Sequence, residues 1–281
     1  MALLAEPLRY GFFVHGLLVA ILVSSLCGLL GVYVVQRRMS YIGHGLSHAI
    51  FGGAVVSTVL QVNFYVGAGV WGFLAVILID KLTTTRQVNA DAAIGIITTA
   101  SFAIGVALMS RMRWFMRDFE AALFGNVLGV AASDLRSIAV VTVVTGFAIA
   151  LLYKPLLFST FDEEVAQVAG IPTRRVRLVF SCLLALTILA SVQVLGVTLT
   201  AAALVIPATT ARLLTTSFPL MLGLAAMLGG ITAGTGMYLS YYLDIASGAS
   251  IVLVSAALFT VTLSARRLGE MLRPNGNRYS M

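Results

Sequence analysis

Two of the chain's three histidines, His44 and His48, lie four residues apart. On a helix this spacing puts both imidazoles on one face, with Cβ atoms about 5–6 Å apart. Imidazole suits borderline transition metals, so the pair is a candidate grip for zinc, manganese or iron. It sits in the run Arg37-Arg38-Met39-Ser40-Tyr41-Ile42-Gly43-His44-Gly45-Leu46-Ser47-His48, in a stretch that otherwise reads as membrane-spanning. Polar, metal-capable groups are costly in hydrocarbon and by default mark a functional site. Two other readings compete with metal binding. The histidines can act as polar glue between neighbouring helices. The spacing also matches the zinc-peptidase pattern, in which glutamate follows the first histidine. Position 45 is glycine here, so the general base is missing and reversible binding is favoured over chemistry. Two ligands are too few for tight tetrahedral zinc. A second copy of the chain, other side chains or water would complete the shell. Such incomplete ligation suits a carried ion, which must also leave.

The elements that hold this pair follow from composition. The 281 residues are 59% hydrophobic and only 10% charged, with a mean hydropathy of +1.00. A soluble domain carries about 25% charged residues. This is an all-α integral membrane protein of the multi-pass type, with little mass outside the bilayer. A spanning helix needs roughly 20 mainly apolar residues. The apolar runs predict spans over Gly11–Val35, Tyr41–Leu60, Phe64–Ile79, Ala92–Ser110, Leu135–Tyr153, Val176–Val194, Val197–Leu214, Leu220–Ser240 and Ala249–Ser264. If one run is not a span, nine becomes eight. The piece Phe119–Val130 is too short to cross and reads as a short or re-entrant helix covered by protein. The whole chain, 1–281, reads as one membrane domain with a cytoplasmic loop over 158–175 and a short cytoplasmic tail over 266–281. The first run is too long for a signal-peptide core. Cys27 and Cys182 fall in apolar runs and read as small packed hydrophobes rather than a disulfide.

The net charge of +7 does not indicate nucleic acid, because Lys and Arg concentrate in short loops as the positive-inside rule requires. With the N-terminus outside, only Arg9, Arg111, Arg113, Arg117 and Arg136 of the 18 basic residues face outward. The Arg111–Arg117 cluster is the one conflict with that orientation.

The longest polar connection, Phe158–Arg177, contains a short helix signal. Asp162, Glu163 and Glu164 load acid onto a helix start, which suits the macrodipole. Val165, Val168 and Ala169 recur at helical spacing as a small apolar stripe. Gly170 stops the helix and Pro172 prevents its continuation. A two-turn helix is unstable alone and makes sense if it docks into a partner.

The remaining candidates are weaker. Asp91 begins a span and reads as a helix cap. Asp244 reads as a turn or outer-mouth residue. Both are candidates for attracting metal. Gln193 offers an amide oxygen, with interhelical hydrogen bonding as its plainer role. His15 reads as an interface residue. Pro207 stands mid-span, where it removes a backbone hydrogen bond and kinks the helix. That bend is either packing or the side of a pathway, with Thr209 and Thr210 expected to satisfy the freed carbonyls. No phosphate-binding glycine loop is present, so energy for active transport would come from a partner or an ion gradient.

Four separated stretches together resemble bacterial permeases of the manganese/zinc/iron chelate-uptake ABC transporters. They are Arg37–Ala49, Phe124-Gly125-Asn126-Val127-Leu128, Leu204–Arg212 with its Ile-Pro-Ala core, and Tyr238–Asp244 followed by Ser247-Gly248-Ala249. The resemblance runs from about Gly11 to Arg267. It implies a homodimeric permease served by a cytoplasmic ATP-binding subunit and an extracytoplasmic metal-binding protein. It also implies a coupling segment over Phe161–Gly170, including Phe161, Asp162, Glu163, Glu164, Val165 and Ala166. In that family the two pathway positions of the second span are commonly aspartate and histidine. His48 matches, and His44 stands where aspartate is usual. An imidazole in place of a carboxylate favours zinc or iron, whereas Val192–Val197 looks like the manganese-type relatives.

The expectation is therefore a bacterial inner-membrane permease for a divalent transition metal. Manganese is favoured, with zinc and iron as alternatives, and the metal is cargo rather than a resident cofactor. The expected partners are the ATP-binding subunit, the metal-binding protein, a second copy and membrane lipid. A gradient-driven secondary transporter is the alternative, and a membrane metalloenzyme stands behind it.

Overall fold

The computed structural model describes residues 6–84, 88–111, 123, 125 and 127–272. Within them, nine long helices and two short ones follow in chain order. The first five are α1 (Gly11–Gln36), α2 (Ser40–Val59), α3 (Phe64–Thr84), α4 (Ala90–Arg111) and α5 (Ala132–Leu151). The short α6 (Tyr153–Phe161) and α7 (Glu163–Val168) come next. The chain continues with α8 (Thr173–Leu195), α9 (Val197–Leu214), α10 (Phe218–Leu243) and α11 (Ser247–Leu272). The nine long helices lie on the nine apolar runs. A helix is the form such runs take in lipid, because it satisfies its backbone within the segment.

Eight of the nine are long and apolar enough to cross a membrane. The exception by composition is α2, which carries His44, His48, Ser40, Ser47, Ser57 and four glycines. Protein rather than lipid covers it. Leu46, Ala49 and Ile50 are fully buried, and the helix packs on α3, α4, α8 and α9. The second axis of the bundle is α1, which packs on α8, α9 and α10. Among the eight apolar spans, α1 and α8 are the most buried and α5 the least. Val140, Val143, Phe147 and Leu151 of α5 point outward.

Close backbone contact holds α1 to α9. A methyl group on Gly31 would overlap the Leu204 carbonyl oxygen. At the break between α8 and α9, Gly196 has φ +80°, as does Gly125, and each backbone occupies the space a Cβ of the other would need. Glycine adopts that left-handed region at little cost. Thr198 Oγ1 donates to the Leu123 carbonyl at 2.9 Å across the same contact. Half of the segment expected to be re-entrant, residues 119–122, 124 and 126, lies outside the described residues. Its last part forms a 3-10 turn, Val127–Gly129, packed on α1.

Several boundaries differ from the sequence expectation. The fifth run stops at Leu151. The chain restarts as α6 with Pro155 in its first turn, where proline is tolerated. The loop expected over 158–175 is therefore largely helical. The last helix runs on past Ser264 to Leu272, so 266–272 is not a free tail. Arg266 Nε bonds Glu270 Oε1 at 3.1 Å one turn on. A terminal nitrogen of Arg266 caps the Leu213 carbonyl at 3.0 Å at the end of α9.

A Gly31→Ala substitution should cost about 1–3 kcal/mol through overpacking. Gly95→Ala, where a Cβ meets nothing within 4 Å, should be neutral. Thermal unfolding of the detergent-purified protein compares the two, and equal midpoints would show that the α1–α9 contact is not limiting.

Candidate functional site

The structure brings the two predicted histidines together. His44 Nε2 and His48 Nε2 are 3.1 Å apart, with ring centroids 4.4 Å apart and planes at 81°. The edge-to-face ring of Phe102 on α4 backs His48 at 4.6 Å, and Tyr41 flanks His44 at 5.8 Å. Ser47 Oγ donates to the His44 carbonyl at 2.8 Å. The two Nε2 atoms can hydrogen-bond only if one carries the proton and the other offers its lone pair. His48 Nδ1 is buried without a hydrogen-bond partner among the described residues. An unpaired acceptor is tolerated there more readily than an unpaired N–H, so the hydrogen bonding assigns the Nε2 proton to His48.

Glycines on either side of His44 shape this face. A Cβ on Gly45 would lie 2.7 Å from Ile94 Cγ2 and 3.0 Å from Thr98 Cγ2 of α4. A Cβ on Gly43 would lie 2.8 Å from Leu204 Cδ1 of α9. Both neighbours close onto α2 because these positions have no side chain.

The weaker candidates do not join the pair. Among the described residues no group of three His, Cys, Asp or Glu side chains is placed to hold a metal ion. Asp91 lies exposed in the first turn of α4 but is not its cap. That role falls to Asn89, whose Oδ1 accepts from Ala92 N at 2.9 Å. The Asp lies two residues too late to reach the free amides. Gln193 of α8 meets the Tyr65 hydroxyl of α3 through its side-chain amide, and the same hydroxyl lies 2.9 Å from Asp134 Oδ1 at the start of α5. A single phenolic proton cannot serve two acceptors. Donation to Asp134, with the Gln193 amide turned to donate in its turn, satisfies all three groups. Asp244 is exposed and ends α10 in the left-handed conformation, φ 53°.

Pro207 is buried inside α9. The threonines do not compensate it as expected. Thr209 Oγ1 donates to the Val205 carbonyl at 2.7 Å and Thr210 Oγ1 to the Ile206 carbonyl at 2.8 Å. Proline frees the Ala203 carbonyl, four residues before it, which lies out of step with both hydroxyls. His15 is half-buried near the start of α1. Cys27 is buried beside Ser191 Oγ at 3.1 Å, and both cysteines are free thiols.

The segment expected to dock a partner forms its helix with complete caps. Asp162 Oδ1 accepts from Val165 N at 2.9 Å. At the other end, Gly170 N donates to Gln167 O and Ile171 N to Ala166 O, both at 2.9 Å. With Gly170 at φ +77°, this is a Schellman closure. Ala166 turns inward and is fully buried, while Phe161, Val165 and Val168 are 61%, 53% and 91% exposed. Glu164 is exposed beside them.

Sequence reasoning missed the contacts that hold this segment to the bundle. Asp80 of α3 is only 8% exposed and accepts from Arg177 at 3.1 Å, with Arg174 at 3.6 Å. Arg177 also reaches Glu163 of α7 at 3.4 Å. The available signal was an acid placed directly after an apolar run. Ending that span at Ile79 hid the fact that α3 carries Asp80 one turn before its end. Arg37, between α1 and α2, bonds Thr160 and Ser159 of α6. Burial lowers its pKa to about 10, opposed in part by the Glu163 carboxylate, so it stays charged at neutral pH.

A buried polar helix inside a bundle of lipid-facing spans, with short helices clustered at one end, defines a multi-pass membrane transport protein. Residues 9–266 match the model of the ABC 3 transport family, and the chain belongs to that family. It is 40% identical over 256 residues to the manganese transport system membrane protein MntC of Halalkalibacterium halodurans, covering 91% of this chain and 88% of that one. It is 32% identical over 259 residues to the chelated iron transport system membrane protein YfeC of Yersinia pestis, covering 92% and 88%. Among solved structures, PsaBC from Streptococcus pneumoniae in complex with Fab matches with a TM-score of 0.86 at 29% identity, over 97% of this chain and 99% of that one.

Arg177→Ala should leave the Asp80 carboxylate with only the longer Arg174 contact and lower stability by about 1–3 kcal/mol. The low end is expected because Arg177 is 36% exposed and solvent screens the pair. A melting temperature equal to wild type in detergent would refute the structural weight placed on Asp80.

Proposed function

We propose that this chain is the permease subunit of an ATP-driven importer for a divalent transition metal, with manganese favoured over zinc and iron. The observation that carries the reading is the facing pair of Nε2 atoms on a buried, glycine-flanked helix. With metal–nitrogen bonds of about 2.0–2.1 Å, two donors on a tetrahedral ion stand about 3.4 Å apart, and two at right angles about 2.9 Å. The 3.1 Å separation lies between these values. A metal replaces the shared proton, both lone pairs turn to it, and the helix need not move. Two nitrogens hold such an ion weakly, and a second copy of the chain or water completes its shell. The relatives named for manganese and for chelated iron support this class of cargo.

In this reading the end of the bundle bearing α6 and α7 is cytoplasmic. The exposed Phe161, Glu164, Val165 and Val168 meet a separate ATP-binding subunit, and an extracytoplasmic protein delivers the ion at the other end. ATP hydrolysis belongs to that partner. A gradient-driven carrier would need a buried acid left unpaired for ion coupling. Among the described residues the buried carboxylate is Asp80, and two guanidinium groups hold it.

His48→Ala should abolish metal accumulation, measured by elemental analysis of cells carrying the variant, with dimer assembly intact. Normal accumulation would sink the assignment. Glu164→Lys combined with Val165→Arg should cut transport by about tenfold or more while the ATP-binding subunit still hydrolyses ATP, as expected when a coupling free energy of about 1–3 kcal/mol is lost. Unchanged uptake per ATP would remove α7 from the docking surface.

A further inference from the structure

Arg37 directly follows α1 and stands three residues before α2, the helix that carries the histidines. Among the described residues its guanidinium makes no ion pair. Its Nε donates to Thr160 Oγ1 at 3.0 Å, and its Nη2 donates to Ser159 Oγ at 3.1 Å. Its Cζ lies over the Phe180 ring of α8, 4.6 Å from the centroid. The two hydroxyls are already oriented to accept. Thr160 Oγ1 donates to the Leu156 carbonyl at 2.6 Å, and Ser159 Oγ donates to the same carbonyl at 3.2 Å. Each hydroxyl has one proton, and both protons are committed to Leu156, so their lone pairs face the arginine. A planar fork that also stacks on a ring is a geometry lysine cannot reproduce.

The backbone beside this fork is stiff. Arg37 N donates to Tyr33 O and Met39 N to Val34 O, both at 3.0 Å, and Ile42 N donates to Met39 O at 2.9 Å. Arg38 between them is held at φ 56°, a region a non-glycine residue occupies only under surrounding constraint. The turn that carries the guanidinium is thus tied to the end of α1 and runs directly into the first turn of α2 through Ile42 N, so a displacement of α6 meets a fixed turn rather than a loose linker.

We propose that Arg37 is a positioning residue that makes α6 and the histidine-bearing α2 move as one unit. Through it, a push of the partner ATPase on α6 and α7 reaches His44 and His48. This inference rests on the importer reading above and deepens it. Without the fork, α6 and α7 shift under the ATPase while the metal pair stays behind, and ATP is spent without transport.

The test uses the assembled transporter, with its ATP-binding subunit and metal-binding protein, reconstituted in liposomes. Uptake of Mn2+ and hydrolysis of ATP are measured on the same samples for wild type, Arg37→Lys, and the double variant Ser159→Ala with Thr160→Ala. Both variants should assemble and hydrolyse ATP while moving about tenfold fewer ions per ATP, within the range of ordinary coupling energies. The variants combined should lose no more than either alone, because they break the same contact. A wild-type ratio of ions to ATP in either variant, or additive losses, overturns the proposal. So does a parallel fall of uptake and hydrolysis that tracks loss of assembled complex, since that shows a purely structural role. Wild-type transporter that moves no Mn2+, Zn2+ or Fe2+ would instead overturn the importer reading itself.

Discussion

A helix that carries imidazoles, hydroxyls and several glycines cannot face hydrocarbon, and the rest of this bundle is arranged around that constraint. Lipid offers no partner to a polar side chain, so α2 must be covered on every side that matters. Gly43 and Gly45 let α9 and α4 close onto it where a methyl group would not fit. What remains accessible is the half-buried face with His44, His48 and Tyr41. The outer spans take the lipid contact instead, and α5, with its outward valines and Phe147, shows it most plainly.

The same solvent logic sorts the charges. Hydrocarbon excludes them from the middle of the bundle, so Arg37, Asp80, Glu163, Arg177 and Arg266 gather at one end and bind one another, hydroxyls or backbone carbonyls. Asp80 is the deepest of them and the most fully paired. These contacts order the short helices α6 and α7, whose lengths alone would leave them unstable in water. The outer face of α7 stays open, with Val168 almost fully exposed while Ala166 is fully buried two residues away. A six-residue helix with both ends capped and one apolar side open is an arrangement suited to receiving another protein.

Much of this is legible in the chain. The nine long helices can be placed because a helix in lipid needs about 20 apolar residues and polar punctuation separates the runs. The α7 caps can be read from Asp162 and Gly170 because capping is local, involving residues within one turn. The histidine face follows from spacing alone. Elsewhere local reading misleads. It gives Asp91 a cap that Asn89 makes, and it gives Thr209 and Thr210 a carbonyl that lies out of register with their hydroxyls. In both cases the residue type is right and the position is off by two or three, which a helix of about 3.6 residues per turn does not forgive.

The chain by itself determined the class of fold, the helix carrying the metal-capable pair and the short capped helix. Each depends on hydropathy, period or caps that act within a few residues. Only the tertiary structure decided what touches what across the bundle. The Nε2 separation depends on rotamers set by Phe102 and by the glycine contacts to α4 and α9. The grip of Arg37 on α6, and of Arg177 on Asp80, joins residues roughly 100 or more positions apart. No local pattern encodes such a pairing, because either guanidinium could have reached water instead. Its choice of partner follows from where the neighbouring helices bring their ends together.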